Sequence, residues 1–290
     1  MIEIPKLVGL DNTPMLDIEE MLKKCFVDVN AILKPQPIAL SIGTTEYKGN
    51  RIPIPYGSYG GFSCIVGASK SKKTFLKSLL VACYIGGDAH RYAKKITPHN
   101  ATGKFVIEFD TEQSQWYCQK TYKRVIEMCG KSPDIYKPFS LLEYSYKERL
   151  QFIEYILLES EYRSNIGLVT IDGVADLVPH ANDEVSSYDV ANKIVKWASI
   201  TNSHIITILH RNFGSDKPTG HLGSAVLKKA ELVTFLEAED RNVIVSPEYT
   251  RGISFDKFIF GIDDSTWLPY LIEDNFNVKT YSESINNRPF

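Results

Sequence analysis

Apolar positions along the chain change their rhythm near residue 61. Upstream, one amphipathic stretch at 18–27 predicts a helix. It is followed by Lys34-Pro35-Gln36-Pro37 and by Arg51-Ile52-Pro53-Ile54-Pro55-Tyr56-Gly57, whose prolines predict interrupted structure. Residues 1–57 therefore read as an N-terminal arm. Downstream, short apolar runs of strand length alternate with longer helical stretches: 62–66 then 74–85, and 104–109 then 112–128. Helix 146–160 precedes strand 166–171, and helix 187–199 precedes strand 204–209. Leu150, Ile153 and Leu157 share one helical side, as do Val190, Ile194 and Trp197, which makes both sets core residues. Such alternation predicts an α/β core with a mostly parallel central sheet flanked by helices. After Lys228 the pattern turns strand-rich, at 231–236, 242–245 and 255–260. The core is placed at 58–275, and the polar C-terminal tail at 276–290 is expected to be loosely ordered.

Composition changes this picture little. The 290 residues are 43% hydrophobic and 23% charged, as in an ordinary globular protein, and the formal net charge of −2 advertises no nucleic-acid partner. Any basic contact surface must be local. Five cysteines without CxxC spacing suggest neither a disulfide framework nor a zinc site, so a reducing cytoplasm is expected. No apolar run is long enough to span a bilayer, and no secretion signal is read at the N-terminus.

The strongest local chemistry lies at Gly67-Ala68-Ser69-Lys70-Ser71-Lys72-Lys73-Thr74-Phe75, where an apolar strand runs into the start of an amphipathic helix. The segment resembles a Walker A phosphate loop. In that motif backbone N–H groups and the helix N-terminus hold polyphosphate, a lysine reaches the outer phosphates, and a hydroxyl binds magnesium. By position those roles fall to Lys73 and Thr74. The motif expects glycine before its lysine, where this chain has Lys72, and Lys70 holds another position at which related loops often carry glycine. A basic strand-to-helix turn is the plain alternative. Further on, the strand at 165–171 ends in Asp172, as a Walker B strand does, where the carboxylate would orient magnesium opposite Thr74. A turn-forming aspartate is the alternative there.

Between these segments the strand at 104–109 runs into Asp110-Thr111-Glu112, and here the chain resembles RecA-like P-loop ATPases, in layout the RepA-like and DnaB-like ring helicases of mobile elements. The resemblance makes Glu112 the general-base candidate, with Asp110 as its support or substitute; favouring the N-terminus of the next helix is the other reading of Glu112. It makes His210, at the end of the strand 204–209, a polar sensor. Arg211-Asn212-Phe213-Gly214-Ser215-Asp216-Lys217-Pro218-Thr219-Gly220 resembles the family's DNA-facing loop, with Arg211 and Lys217 as backbone contacts, and the turn through Asn182 and Asp183 is a second pore-facing loop candidate. Arg251 aligns with the arginine finger that serves a neighbour's ATP site, although Tyr249 replaces the lysine often found two positions earlier; a solvent-exposed Arg-Gly turn is the alternative. Five matches in order imply a RecA-like core, ATP with Mg2+, a homo-oligomer that is a hexameric ring, and single-stranded DNA as ligand, with a primase or replication initiator as a possible partner. The resulting expectation is an ATP-driven helicase or translocase. An ATPase that remodels recombination or transposition complexes, and a non-hydrolysing nucleotide-dependent scaffold, stand beside it.

Overall fold

The computed structural model of the chain describes residues 17–99, 103–211, 220–239 and 242–272. Two compact units divide at Pro35. In the first, helix α1 (Ile18–Cys25) is capped by Asp17, whose carboxylate accepts the Glu20 N–H at 2.9 Å. That satisfies one of the donors a helix start leaves orphaned.

The second unit holds the remaining elements: β1 (Ile38–Tyr47), β2 (Asn50–Ser58), β3 (Phe62–Gly67), α2 (Lys73–Ile85), β4 (Ile96–Pro98), β5 (Phe105–Asp110), α3 (Gln115–Cys129) and β6 (Tyr136–Ser140). These are followed by α4 (Tyr146–Leu158), β7 (Ile166–Asp172), α5 (Glu184–Thr201), β8 (His204–His210), α6 (Gly220–Lys229), β9 (Leu232–Glu239), β10 (Asn242–Thr250), β11 (Phe258–Ile262) and β12 (Pro269–Leu271). Among the described residues one sheet has nine strands in the order β12-β11-β10-β9-β3-β8-β7-β5-β6, and a second has the order β2-β1-β4. From β9 to β6 the large sheet is parallel, while β10, β11 and β12 extend it antiparallel. The mixed α/β architecture with a large, mostly parallel sheet is thus as the hydrophobic rhythm predicts.

Period-two alternation sends the buried residues of each parallel strand into two cores. Ile65 of β3 joins Leu76, Leu79 and Leu80 of α2 and the α3 residues Val125 and Met128, together with Leu40 and Tyr56 from the small sheet. Its neighbours Cys64 and Val66 face Ile153 of α4, Ile194 and Trp197 of α5 and Val226 of α6. The sheet is therefore covered on both faces, which is why its central strands are buried along their whole length and largely apolar rather than alternating with exposed polar residues.

One expectation needs correction. Residues 38–58 are not interrupted by their prolines but form the antiparallel pair β1–β2. Pro53 and Pro55 both lie on β2, an edge strand, where a missing N–H need not break the ladder. Residues 220–229 form a helix with Leu222, Ala225 and Val226 buried, beyond the expected loop. Asn182 lies in a turn, as expected, and Asp183 is the N-cap of α5, accepting the Ser186 N–H at 2.7 Å. The tail at 276–290 and the stretch 212–219, including Lys217, lie outside the described residues.

Candidate functional site

All four central parallel strands end at the same edge of the sheet, and the residues that follow them converge there. β3 delivers the loop 68–72 and β8, hydrogen-bonded beside it, brings His210 level with Gly67. Asp172 at the end of β7 pairs in register with Ile208 on one side and Asp110 on the other. Because β8 lies between β3 and β7, His210 is inserted between the loop lysine and the acids.

The loop has the backbone that its glycine-expecting positions demand. Lys70 and Lys72 both adopt left-handed conformations, with φ of 64° and 66°. For a residue bearing a Cβ this costs roughly 1–2 kcal/mol each, and it is the alternation of hand that turns successive N–H groups to one side as an anion nest. Gly67 is required for space: a Cβ there would collide with Ser71 Oγ and crowd the Leu236 carbonyl. Ser71 Oγ is itself buried and, among the described residues, has no hydrogen-bond partner. A buried hydroxyl left unpaired beside a helix start fits an acceptor-rich group such as a phosphate.

Lys73 folds back into the loop, donating to the carbonyls of Gly67 at 3.1 Å and Ala68 at 2.8 Å and lying 3.1 Å from His210 Nδ1. Burial lowers its pKa, against the pull of Asp172 and Glu112. If Nδ1 accepts from the ammonium, the ring proton sits on Nε2, 3.4 Å from both carboxylate oxygens of Glu112. That hydrogen bond, with the nearby lysines, holds the Glu112 carboxyl below its ordinary value despite partial burial. Lys73, His210 and Glu112 thus form one connected chain across three strand ends.

Asp110 does different work from its neighbour. It is fully buried and accepts the N–H groups of Glu112 at 3.0 Å and Gln113 at 2.8 Å and the Gln113 amide at 2.6 Å. Its carboxylate shapes the turn that presents Glu112. Thr111 Oγ1 lies within 3.0 Å of the Asp172 and Gly173 carbonyls, tying this turn to the end of β7. Gly173 has φ of 88°, and a Cβ there would run into Thr111 and Glu112.

Thr74 Oγ1 stands 3.4 Å from Asp172 Oδ2. Among the described residues no cluster of three or more His, Cys, Asp or Glu side chains is placed to hold a metal by itself. A hydroxyl facing one carboxylate suits Mg2+, which keeps waters and takes few protein ligands when phosphates supply the rest. Burial pushes the Asp172 pKa up to about 6, against the opposing pull of Lys77.

Lys77 is a residue the motif reading missed. Its ammonium is fully buried one helical turn beyond Lys73, 3.0 Å from Glu108 Oε2 and 3.2 Å from Asp172 Oδ2. Glu108 also accepts from Thr170 at 2.9 Å and from the Tyr136 hydroxyl. The available signal was a cation between Leu76 and Leu79 in the largely apolar run of α2.

Arg251 is not part of this cluster. It follows β10, whose Thr250 pairs with Leu232, and Leu232 in turn pairs with Ser63 near the start of β3. That places it at the opposite end of the sheet, roughly 13 Å along the strand direction from Gly67 at about 3.3 Å per residue. Its guanidinium donates to the Lys229 carbonyl at 3.0 Å beside an open cavity of about 210 Å3 lined by Tyr56, Ser58 and Glu231. Arg211, directly after His210, has its N–H on the Gly67 carbonyl at 3.1 Å. No described helix is long and apolar enough to cross a membrane. Compared with known proteins, the chain matches no family model and no curated sequence.

Proposed function

We propose that the chain is a Mg2+-dependent P-loop ATPase with a RecA-like core, acting as a RepA-like helicase or translocase on single-stranded DNA in plasmid or mobile-element replication. The observation that carries this reading is the convergence of Lys73, Thr74, Asp172, Glu112 and His210 at one edge of a parallel sheet, around a loop whose two lysines take glycine-like backbone angles. A nucleotide's phosphates would lie on the loop N–H groups, Lys73 would swing from the loop carbonyls onto them, and Thr74 with Asp172 would hold Mg2+, which supplies charge neutralisation of the phosphates when bound. Glu112 would orient and deprotonate the attacking water, and His210 would pass the occupancy of the lysine to that carboxylate.

Arg251 lies too far from its own chain's loop to serve it, so the finger role proposed for it requires a neighbour's site. The test is ATP turnover with and without single-stranded DNA, alongside a native mass measurement. Turnover by a ring and stimulation by DNA are expected. Absent turnover removes the ATPase, and turnover without measurable displacement of duplex strands moves the reading to a remodelling ATPase. Mixing Arg251→Ala with Glu112→Gln protein should recover activity at interfaces that combine both intact residues. If subunits exchange and nothing is recovered, Arg251 does not act in trans.

A further inference from the structure

Three aromatic rings stand in water where α3 meets the loop that follows β6: Trp116 is 63% exposed, Tyr117 57% and Tyr144 52%. Trp116 and Tyr144 line a cleft of about 300 Å3 together with Gln115, Ser140, Leu142 and Glu143. Aromatic side chains usually dominate cores and interfaces, so a group of them left exposed around one cleft marks a contact surface. The cleft is separate from the phosphate loop. β6 is the fourth strand from β3, which puts it roughly 19 Å away at about 4.8 Å per strand.

Both walls are fixed before anything binds. The Ser140 hydroxyl donates to the Gln113 carbonyl at 3.3 Å and the Leu141 N–H to the Asp110 carbonyl at 2.7 Å, which ties the loop to the Glu112 turn. Arg149 donates to the carbonyls of Leu141 at 3.0 Å and Leu142 at 2.9 Å, a second set of bonds on the chain leading to Tyr144. On the facing wall Tyr117 packs perpendicular to the Trp116 indole, with ring centres 4.7 Å apart. A surface whose rings are already oriented loses little freedom when a flat partner stacks on them.

Charge selects that partner. Trp116, Lys120 and Lys123 follow one another at spacings of four and three, which sets them in one stripe along α3. Both lysines are exposed, and Lys120 Nζ lies 5.7 Å from the indole centre. Since the whole chain carries a formal net charge of −2, the stripe is a local cationic track rather than part of a generally basic surface. Glu143, in the lining of the cleft itself, turns phosphates away from there. A polymer whose phosphates run along the lysines while its flat rings enter the cleft satisfies both features, and only an unpaired strand has its ring faces free.

We infer that this cleft binds unpaired bases of a single-stranded nucleic acid, with Trp116 and Tyr144 as stacking surfaces and Lys120 and Lys123 against the phosphates. The inference rests on the single-stranded DNA reading above and adds to it a contact surface besides Arg211 and Lys217.

Fluorescence anisotropy of a labelled oligothymidylate, and of a duplex of the same length, titrated with the full chain tests this for wild type, Trp116→Ala, Trp116→Phe and Lys120→Gln, with thermal melting and native mass measured on each. The wild type should bind the single strand about tenfold or more tightly than the duplex. Trp116→Ala should weaken single-strand binding about tenfold, which is about 1.4 kcal/mol and within the range for one stacked base, with Tm and oligomeric state unchanged. Trp116→Phe should recover most of the loss. Lys120→Gln should make the slope of log affinity against log salt shallower by about 0.7, the share of one phosphate on a single strand. The cleft assignment alone is overturned if folded Trp116→Ala binds the single strand as wild type does, or if wild type binds duplex as well as single strand. It is also overturned if Trp116→Ala separates an oligomer without changing single-strand affinity, since the cleft is then a contact between copies of the chain. Failure of wild type to bind either oligonucleotide overturns the single-stranded DNA reading, and the cleft with it.

Discussion

At the N-terminal end of the parallel strands His204 is fully buried and both of its ring nitrogens are engaged, by Ser63 Oγ at 2.9 Å and by the Ser58 carbonyl at 3.1 Å. Glu231 Oε1 lies 3.3 Å from the same ring and accepts the Ser58 N–H at 2.7 Å. Gly57 passes so close that a Cβ would strike the imidazole. At the C-terminal end the polar groups are similarly dense, but Ser71 Oγ has no partner among the described residues, Lys70 and Lys72 hold left-handed angles, and Lys73 rests on loop carbonyls that an anion could replace. Both ends bury polar chemistry. Tyr56 Oη near the first end is also unpaired among the described residues, but only the second end combines an unpaired hydroxyl with left-handed lysines, and that combination separates a network that joins elements from one that waits for a ligand.

The comparison breaks most sharply on Glu112. Glu112→Gln should keep Mg-ATP binding and lower turnover by about 10²–10⁴, the usual span for a general acid–base group. His204→Ala, at the other end, should lower stability with kcat unchanged in the molecules that remain folded. Asp110→Asn should also act first on stability, because its carboxylate accepts three hydrogen bonds that build the turn. Single-turnover hydrolysis beside a denaturant curve decides. Survival of hydrolysis in Glu112→Gln together with its loss in Asp110→Asn would exchange the two roles.

Next in size is the ion network beneath the loop. Lys77→Met leaves Glu108 and Asp172 facing each other without a cation, and breaking a buried pair from one side costs about 3–5 kcal/mol. Lys77→Met combined with Glu108→Gln removes one charge of each sign and should recover much of that loss. A loss under about 1 kcal/mol for the single variant in urea unfolding would mean that Lys77 is not held by these carboxylates.

These examples also show what a sequence reveals and what it hides. The strand and helix alternation from 62 to 209 was legible because central parallel strands are largely apolar on both faces and amphipathic helices repeat every turn. Gly67, Lys73, Thr74 and Asp172 were legible as a spacing along two strands, and Glu112 and His210 through a resemblance. β6 was not, because Tyr136-Lys137-Pro138-Phe139-Ser140 is an edge strand with a proline and no apolar rhythm. In the β1–β2 pair, β2 was hidden likewise, as an edge strand carrying Pro53 and Pro55. Lys77 could be seen as an oddity in a helix, but its partners come from β5 and β7, 31 and 95 positions later in the chain.

A smaller effect follows from Asp172, whose metal-free pKa is pushed up to about 6 by burial. A carboxyl raised in the folded state binds its proton more tightly there than in the unfolded chain, so its charge is a cost to the native state above pH 6. The cost is relieved as pH falls from about 6 towards the ordinary value of 3.8. Mg2+ binding needs the charged form. Its contribution to ATP affinity should therefore fall about tenfold per pH unit below 6, and Asp172→Asn should flatten that dependence. If Mg2+-assisted affinity is level between pH 7 and 5, Asp172 does not hold the ion.

The smallest expected effect tests the strained loop itself. Glycine at position 72 would relieve a left-handed penalty of roughly 1–2 kcal/mol while adding roughly 0.5–1 kcal/mol of unfolded-chain entropy, so Lys72→Gly should stabilise the protein by about 0.5–1 kcal/mol. Lys70→Gly should act alike, since its φ of 64° is nearly the same. For a domain of this size each kcal/mol moves Tm by about 2–4 °C, which makes the double variant measurable by calorimetry. Lys72→Ala is the control, because alanine retains the Cβ and the strain and gains nothing from glycine's freedom. Tripolyphosphate affinity should stay within about threefold in Lys72→Gly, because loop N–H groups and Lys73, rather than Lys72, hold the phosphates. Equal stabilisation by alanine and glycine would show that the gain comes from losing the lysine's charge. A tripolyphosphate affinity that collapses in Lys72→Gly but survives in Lys73→Ala would move the phosphate ligand one residue upstream.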